Sequence, residues 1–297
     1  MEKYFEGLEG KISYKYNLKN INWFNIGGVV EVFFKPKNLN DLVNLRKNTK
    51  KEKKLHIIGA GSNLLISDKG INGIAIKLGS NFSNISKIDD TTLIAGASTI
   101  DRNLSEYAME NEISGFEFLS CIPGTIGGGI KMNSGCFENE FKDIIISVQA
   151  LDENGKILSI PKKKIKFSYR KINLSPNLIF LSATLKGKKG EKNKIKEKII
   201  SFKEKKNKSQ PSKIKTGGST FKNPVDQTQK KVWELIDDSV GRDVKFGDAK
   251  ISKKHPNFFI NEKNASFKDM DNLINFVKNK VKQKTGINLD LEIQIIK

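Results

Sequence analysis

The stretch Ile122-Pro123-Gly124-Thr125-Ile126-Gly127-Gly128-Gly129 limits what this chain can fold into more than any other segment. Four glycines in six positions after a proline predict neither a helix interior nor a central strand, because glycine costs either element backbone entropy and packs no side chain. Such a segment is a flexible linker or a place where backbone approaches a ligand closely. A linker is polar and exposed, whereas this one is set among Phe116, Phe118, Leu119 and Met132, which favours close approach. A second loop, Gly59-Ala60-Gly61-Ser62-Asn63-Leu64, follows a short apolar run. It opens like the dinucleotide fingerprint, but Leu64 stands where the third glycine belongs and residues 66–70 read as strand and turn, so a Rossmann site is disfavoured. Its unobstructed amides, with Ser62 and Asn63, still suit phosphate oxygens. Two such loops fit a diphosphate gripped from two sides.

At 297 residues the chain is one large domain or two to three small ones, with enough apolar surface to fold without staples. Its 53 Lys and Arg against 33 Asp and Glu give a net charge of +20, which raises nucleic-acid binding as a reading. The lysines are scattered through every segment, and the densest stretch, residues 192–215, lacks the interleaved aromatics of a base-stacking platform. The charge is therefore taken as a general positive field that favours anionic small molecules. Cys121 and Cys136 make no disulfide framework and are expected as reduced, partly buried thiols. With His56 and His255 the only histidines and no CxxC, no metal site is expected. The acidic start is not a signal peptide, and no apolar run approaches a membrane span, so a soluble cytoplasmic protein is expected.

Strand-like runs are predicted at residues 55–58, 74–78, 92–95, 144–151, 156–160 and 178–185, with the Asn154-Gly155 turn joining the fourth and fifth as a hairpin. A helix is predicted at 100–111 with Thr99 as its N-cap. A Lys-rich helical stretch follows at 188–206, then a helix at 229–237, a strand at 258–261, an amphipathic helix at 269–284 and a final strand at 289–296. The last helix carries Leu273, Phe276, Val277 and Val281 as a core stripe. The class is α+β with mixed sheets, divided near Gly190.

A third segment, Gly217-Gly218-Ser219-Thr220-Phe221-Lys222-Asn223-Pro224, leaves a hydroxyl sterically open after two glycines. Taken together, seven stretches resemble the UDP-N-acetylenolpyruvylglucosamine reductase (UDP-N-acetylmuramate dehydrogenase) family. They are WFNIGG from Trp23, GAGSNLLISD from Gly59, GFEFLSCIPGTIGGGIKMNSG from Gly115, SYR from Ser168, GGSTFKNP from Gly217, KHPNFFIN from Lys254 and LEIQII from Leu291. They occur in family order and run nearly end to end.

The resemblance implies a vanillyl-alcohol-oxidase-type (PCMH-type) FAD-binding fold over residues 1–190, in two subdomains of about 1–78 and 79–190, and a C-terminal α+β substrate domain over 191–297. It implies non-covalent FAD held by Gly59, Ala60, Gly61, Ser62, Asn63 and Leu64 and by Ile122, Pro123, Gly124, Thr125, Gly127 and Gly128. NADPH would be the co-substrate and UDP-N-acetylglucosamine enolpyruvate the substrate. Arg170 would meet the substrate carboxylate, with Tyr169 beside it, where a planar guanidinium suits bidentate contact. Ser219 would donate the proton, Glu292 would stabilise the enolic intermediate or share in protonation, Asn223 would contact the diphosphate and His255 the substrate. No nucleic acid, membrane or obligate protein partner is implied.

The chain departs from the family pattern at Ile21-Asn22, at Asn25, where Arg is frequent, and at Glu138, a position usually Gly. The short 170–181 segment and Gln210-Pro211 resemble the subtype without the Tyr-bearing capping loop. Another flavin oxidase of the same fold would carry an attaching His or Cys, and only Cys121 is near either loop. A basic nucleic-acid binder would leave both Gly loops unexplained.

Overall fold

A computed structural model describes residues 1–50 and 52–297, and they form two compact units that are not contiguous in sequence. The first comprises Met1–Tyr14, Val32–Ala60 and Gly73–Lys206; the second comprises Lys15–Glu31, Gly61–Asn72 and Asn207–Lys297. Mixed sheets and helices make both units α+β.

The first unit has two cores. One lies on a four-stranded sheet in the order Lys11–Asn17, Val29–Lys35, Ile71–Ile76, Leu55–Ile57, of which residues 11–14, 32–35, 73–76 and 55–57 belong to this unit, the last two strands parallel with Leu55 opposite Ile74. Val32 and Phe34, two apart and so on one face, join Ile74, Ile76 and the helix residues Leu42 and Leu45 in this core. That helix, Leu39–Thr49, starts where Asn38 accepts the Asp41 amide with its side chain and ends at Lys50 in the left-handed region. The second core lies on an antiparallel five-stranded sheet in the order Ile157–Pro161, Ile145–Leu151, Ile179–Lys186, Thr92–Gly96, Ile85–Lys87. The hairpin through Asp152-Glu153-Asn154-Gly155 forms as the sequence predicts: Asp152 Oδ1 accepts from Asn154 and Lys156, and Gly155 takes φ +78°.

Two expectations differ here. The helix expected at 100–111 is Asp101–Glu110, and Ile100 is its N-cap, with no side-chain cap bond. Thr99 is not the cap because its residue belongs to the neighbouring loop: its carbonyl accepts the Ile126 amide and its hydroxyl is buried without a partner. The Gly-rich stretch also departs from expectation, for Gly127, Gly128 and Gly129 lie inside the helix Ile126–Met132. Packing overrides propensity here. A Cβ on Gly129 would run into the Phe141 ring, and one on Gly127 would sit 3.1 Å from the Ala97 side chain. The close approach read from the sequence is, at these two positions, an approach of helix to core.

The second unit is built on an antiparallel sheet in the order Lys215–Ser219, Phe258–Asn261, Ala249–Ile251, Lys245–Phe246. The helix Phe267–Thr285 buries Met270, Leu273, Ile274, Val277 and Val281, a stripe at helical spacing, and begins with a Ser266–Asp269 capping box. Phe276, predicted on that stripe, sits at its margin with its ring 5.5 Å from that of Phe246. The predicted helix at 229–237 is Val232–Ser239. Only Gln294–Ile296 of the expected final strand is regular, parallel to Leu64–Ile66; before it the Glu292 and Ile293 amides turn to the Thr220 carbonyl, and Leu291 makes one bridge. Lys15–Glu31 belongs with this unit for a packing reason: Phe24 is fully buried in its core, and the Asn261 side chain donates to the Phe24 carbonyl. No described helix is long and apolar enough to cross a membrane.

Candidate active site

Within the first unit, one residue of each proposed cofactor loop comes close to the other. A Cβ built on Gly59 would lie 2.7 Å from Thr125 Oγ1, so the first residue of one loop faces the middle of the other at glycine range. Of the amides in the second loop, those of Ile126 and Gly127 are already spent on the carbonyls of Thr99 and Ala97. The Gly128 amide donates to no backbone carbonyl among the described residues, and Gly128 is exposed. Lys77, which the sequence reading missed, places its half-buried ammonium 3.1 Å from the Gly59 carbonyl. Burial, and then Lys35 nearby, lowers its pKa, the mark of a cation lacking a full counter-charge. An exposed glycine amide, a threonine hydroxyl and an under-compensated lysine suit an anionic diphosphate, so the residues present fit FAD on this side. Pro123 is exposed, Ile122 and Ala60 half-buried. Gly124 abuts the carboxylate of Asp101, a fully buried side chain whose two oxygens have no hydrogen-bond partner. Burial raises the Asp101 pKa well above the usual carboxylate range.

Tyr169 and Arg170 are the central residues of a tight turn between the paired strands Phe167–Ser168 and Lys171–Ile172. Arg170 has φ +55°, a conformation that costs a non-glycine residue about 1–2 kcal/mol. Strain of this kind at an arginine is the form that functional sites keep. Its guanidinium lies 4.9 Å from the Tyr169 ring centroid, donates from Nη2 to the Gly135 carbonyl at 2.9 Å, and stands 3.8 Å from Glu140 Oε1. Glu140 in turn accepts from Asn133 Nδ2 at 3.0 Å and pairs with Lys142. Glu140 lies beyond every stretch quoted from the sequence, whereas Asn133 falls inside the one that runs from Gly115 to Gly135. Glu138, at the position usually glycine, takes φ +64°, so the backbone keeps the conformation that glycine serves elsewhere.

The remaining candidates lie in the second unit, where main-chain bonds collect most of them. Gly218 has φ +78° and turns the chain so that Ser219, half-buried, ends a strand opposite Phe258. Gly217 is fixed by close packing, since a Cβ there would strike the Phe24 ring. The next residue, Thr220, accepts the Glu292 amide at 2.9 Å, and Asn63 Nδ2 donates to the Glu292 carbonyl at 3.0 Å. Gly61, at φ +73°, packs against the Ile21 carbonyl, and Leu64 pairs with Gln294. The structure thus brings together Ser219, Glu292, Asn63 and Leu64, with Ser62 alongside in the chain.

Asn223 is differently occupied. Its Oδ1 accepts the Val232 amide at 3.0 Å, where the Val232–Ser239 helix begins. His255 accepts the Asn257 amide on Nδ1, which puts its neutral-state proton on Nε2. Burial lowers its pKa, so it is neutral at pH 7 and offers Nε2–H as a donor.

Comparison with known proteins identifies the family of the chain. Residues 30–161 match a family model described as FAD binding domain, and residues 210–296 match one described as UDP-N-acetylenolpyruvoylglucosamine reductase, C-terminal domain. The reductase of that name from Pelagibacter ubique is 55% identical over 297 residues, all of this chain and 98% of the relative. The one from Rickettsia canadensis is 43% identical over 97% of each chain. Among solved structures, UDP-N-acetylenolpyruvylglucosamine reductase from Thermus caldophilus superposes with a TM-score of 0.82 at 27% identity, covering 98% of this chain and 100% of that one. With likeness of this order from end to end of both chains, the chain belongs to the UDP-N-acetylenolpyruvoylglucosamine reductase family.

Proposed function

We propose that this chain is an FAD-dependent, NADPH-consuming reductase that converts UDP-N-acetylglucosamine enolpyruvate to UDP-N-acetylmuramate. The observation that carries it is the bond from the Glu292 amide to the Thr220 carbonyl, which sets a hydroxyl and a carboxyl on adjoining backbone segments. When bound, FAD supplies the hydride carrier between NADPH and the enolpyruvyl carbon. Gly59, Ala60, Gly61, Ser62, Asn63 and Leu64, with Ile122, Pro123, Gly124, Thr125, Gly127 and Gly128, would hold it. Residues 1–190 carry the cofactor and 191–297 the substrate in this reading.

Hydride arriving at the terminal carbon leaves negative charge on its neighbour and the attached carboxylate. Arg170, with Tyr169 beneath it, pairs with that carboxylate and stabilises the charge as it develops. Ser219 protonates the neighbouring carbon, and a carboxyl beside a carboxylate holds its proton more tightly, which suits Glu292 to resupply it. His255 offers its Nε2–H to the nucleotide portion. For Asn223, only the amide nitrogen is suited to the diphosphate, its oxygen being held at the helix start. The reaction belongs to the cytoplasm in this reading and needs no further protein partner.

The test is the cofactor. Purified protein should show the spectrum of oxidised flavin, release FAD on acid precipitation, and bleach with NADPH. Flavin that stays with the denatured polypeptide, or none after reconstitution, overturns the reading.

A further inference from the structure

Asn133 ends the helix Ile126–Met132 in the left-handed region, at φ +40°, and is fully buried. Asparagine takes that conformation more readily than most residues, and its amide brings two donors and an acceptor to a place that water does not reach. All of them are used. Nδ2 donates to Glu140 Oε2 at 3.0 Å and to the Ser168 carbonyl at 3.1 Å, while Oδ1 accepts the Lys142 amide at 2.9 Å. Ser168 is the last residue before the Tyr169-Arg170 turn, so one buried amide holds both the main chain that presents Arg170 and the carboxylate of Glu140. Glu140 Oε2 also takes Lys142 Nζ at 2.8 Å, and its Oε1 stands 3.8 Å from Arg170 Nη1. In its two-residue strand pair Glu140 opposes Gly135, whose carbonyl accepts Arg170 Nη2.

We propose that Glu140, held in place by Asn133 and Lys142, is a positioning residue that sets the Arg170 guanidinium for the substrate carboxylate. This rests on the role proposed above for Arg170. An arginine side chain has several rotatable bonds, and bidentate contact with a carboxylate needs the plane of its head fixed. The Gly135 carbonyl fixes one terminal nitrogen, and the Glu140 carboxylate draws the other. Strand pairing keeps those two groups in register, so they act on the guanidinium together. Only 15% of the Arg170 side chain and 18% of that of Glu140 is exposed, so their attraction is less screened than that of a surface pair.

The distances suit orientation better than neutralisation. At 3.8 Å Glu140 attracts Arg170 without a direct hydrogen bond, and it shares its charge with the closer Lys142. A substrate carboxylate therefore need not displace Glu140 to reach the guanidinium. Glu140 also caps Phe141–Ile144 through a box with Asp143, so removing its side chain carries a structural cost as well. Glu140→Gln keeps an oxygen for Asn133 and for the cap while removing the charge that faces Arg170.

The experiment is a double-mutant cycle on the FAD-loaded full chain: parent, Glu140→Gln, Arg170→Ala and the pair. Each is followed through anaerobic reoxidation of the reduced flavin by UDP-N-acetylglucosamine enolpyruvate, and through calorimetric binding of that enol ether to the oxidised protein. Glu140→Gln should slow reoxidation on the order of tenfold, short of the roughly hundredfold that a displacement of about 1 Å can cost, and should weaken binding in the same direction. Its FAD content and flavin reduction by NADPH should match the parent. With Arg170 already replaced, Glu140→Gln should change neither reading further, because residues that act through one another are not additive. Equal losses with and without Arg170 would make Glu140 a structural residue only and overturn the proposal, as would a Glu140→Gln protein that binds and reoxidises like the parent. Glu140→Asp, which keeps the charge and the cap but draws the carboxylate back by one methylene, repeats the cycle if the Gln variant does not load FAD. An Arg170→Ala protein that reoxidises normally overturns instead the role given to Arg170, and a parent that does not turn over the enol ether overturns the proposed function.

Discussion

In the proposed mechanism the chemistry turns on Ser219, and its surroundings make the expected effect specific. Its hydroxyl follows a glycine pair set by Phe24 packing and by a left-handed φ, so Ser219→Ala removes an oxygen without loosening the strand. Flavin reduction by NADPH should be unchanged, and reoxidation by the enol ether should slow about 10²–10⁴-fold, as for loss of a general acid. Stopped-flow flavin absorbance separates the two; equal slowing of both halves would point to damaged cofactor binding instead. Asp101 gives a second test at this scale. Its folded-state pKa is raised by burial above the ordinary carboxylate value, so the folded protein holds a proton that the unfolded chain releases. Its stability penalty is absent below the ordinary carboxylate range and grows as pH rises through the window up to the folded value. Asp101→Asn should flatten that slope, with thermal melts from pH 5 to about 9 showing the variant gaining on the parent as pH rises. A parallel pair of melting curves would contradict the buried acid.

The helix Ile126–Met132 joins structure and cofactor at the scale of an element, and its glycines divide into two kinds. Gly→Ala in a helix ordinarily gains about 1 kcal/mol. At Gly129 the Phe141 ring fills the space, and overpacking of about 1–3 kcal/mol should win, so Gly129→Ala melts lower. At Gly128 the nearest atom to a new Cβ is Thr125 Oγ1 at 3.6 Å, so Gly128→Ala should melt higher without FAD and bind FAD more weakly. Calorimetry with and without the cofactor distinguishes these from a generic glycine effect. The same helix shows where the sequence stops being legible. Phe258–Asn261 and the Asp152–Gly155 turn could be read because alternation and turn chemistry are local. A run of Gly127, Gly128 and Gly129 reads locally as non-helical, and only the distant Phe141 and Ala97 make the helix worth forming. The final strand was overextended for a similar reason. Residues 289–293 are apolar enough for a strand, yet the Glu292 and Ile293 amides are drawn to Thr220, which periodicity does not reveal.

For the whole molecule, the candidate site was legible where motifs recur in family order, and illegible where a partner lies far along the chain. Lys77 reaches Gly59 across eighteen positions and Glu140 reaches Arg170 across thirty, so neither spacing marks them. The sequence does not show that the oxygen of Asn223 serves a helix nine residues on. The net charge of +20 bears on rates of encounter. Raising salt should slow association of NADPH and of the nucleotide-sugar without changing the chemical steps. Tight binding of RNA or DNA at physiological salt, with a steep salt slope, would show that the lysines had been misread. The central claim is that NADPH electrons reach the enolpyruvyl group of UDP-N-acetylglucosamine enolpyruvate through FAD on this chain. Its most direct measurement is an anaerobic single turnover, in which protein is bleached by one equivalent of NADPH and then mixed with the enol ether. Flavin absorbance should return only with the enol ether, and the product should be heavier than the substrate by two hydrogen atoms. Flavin that stays bleached, or returns without that product, would contradict it.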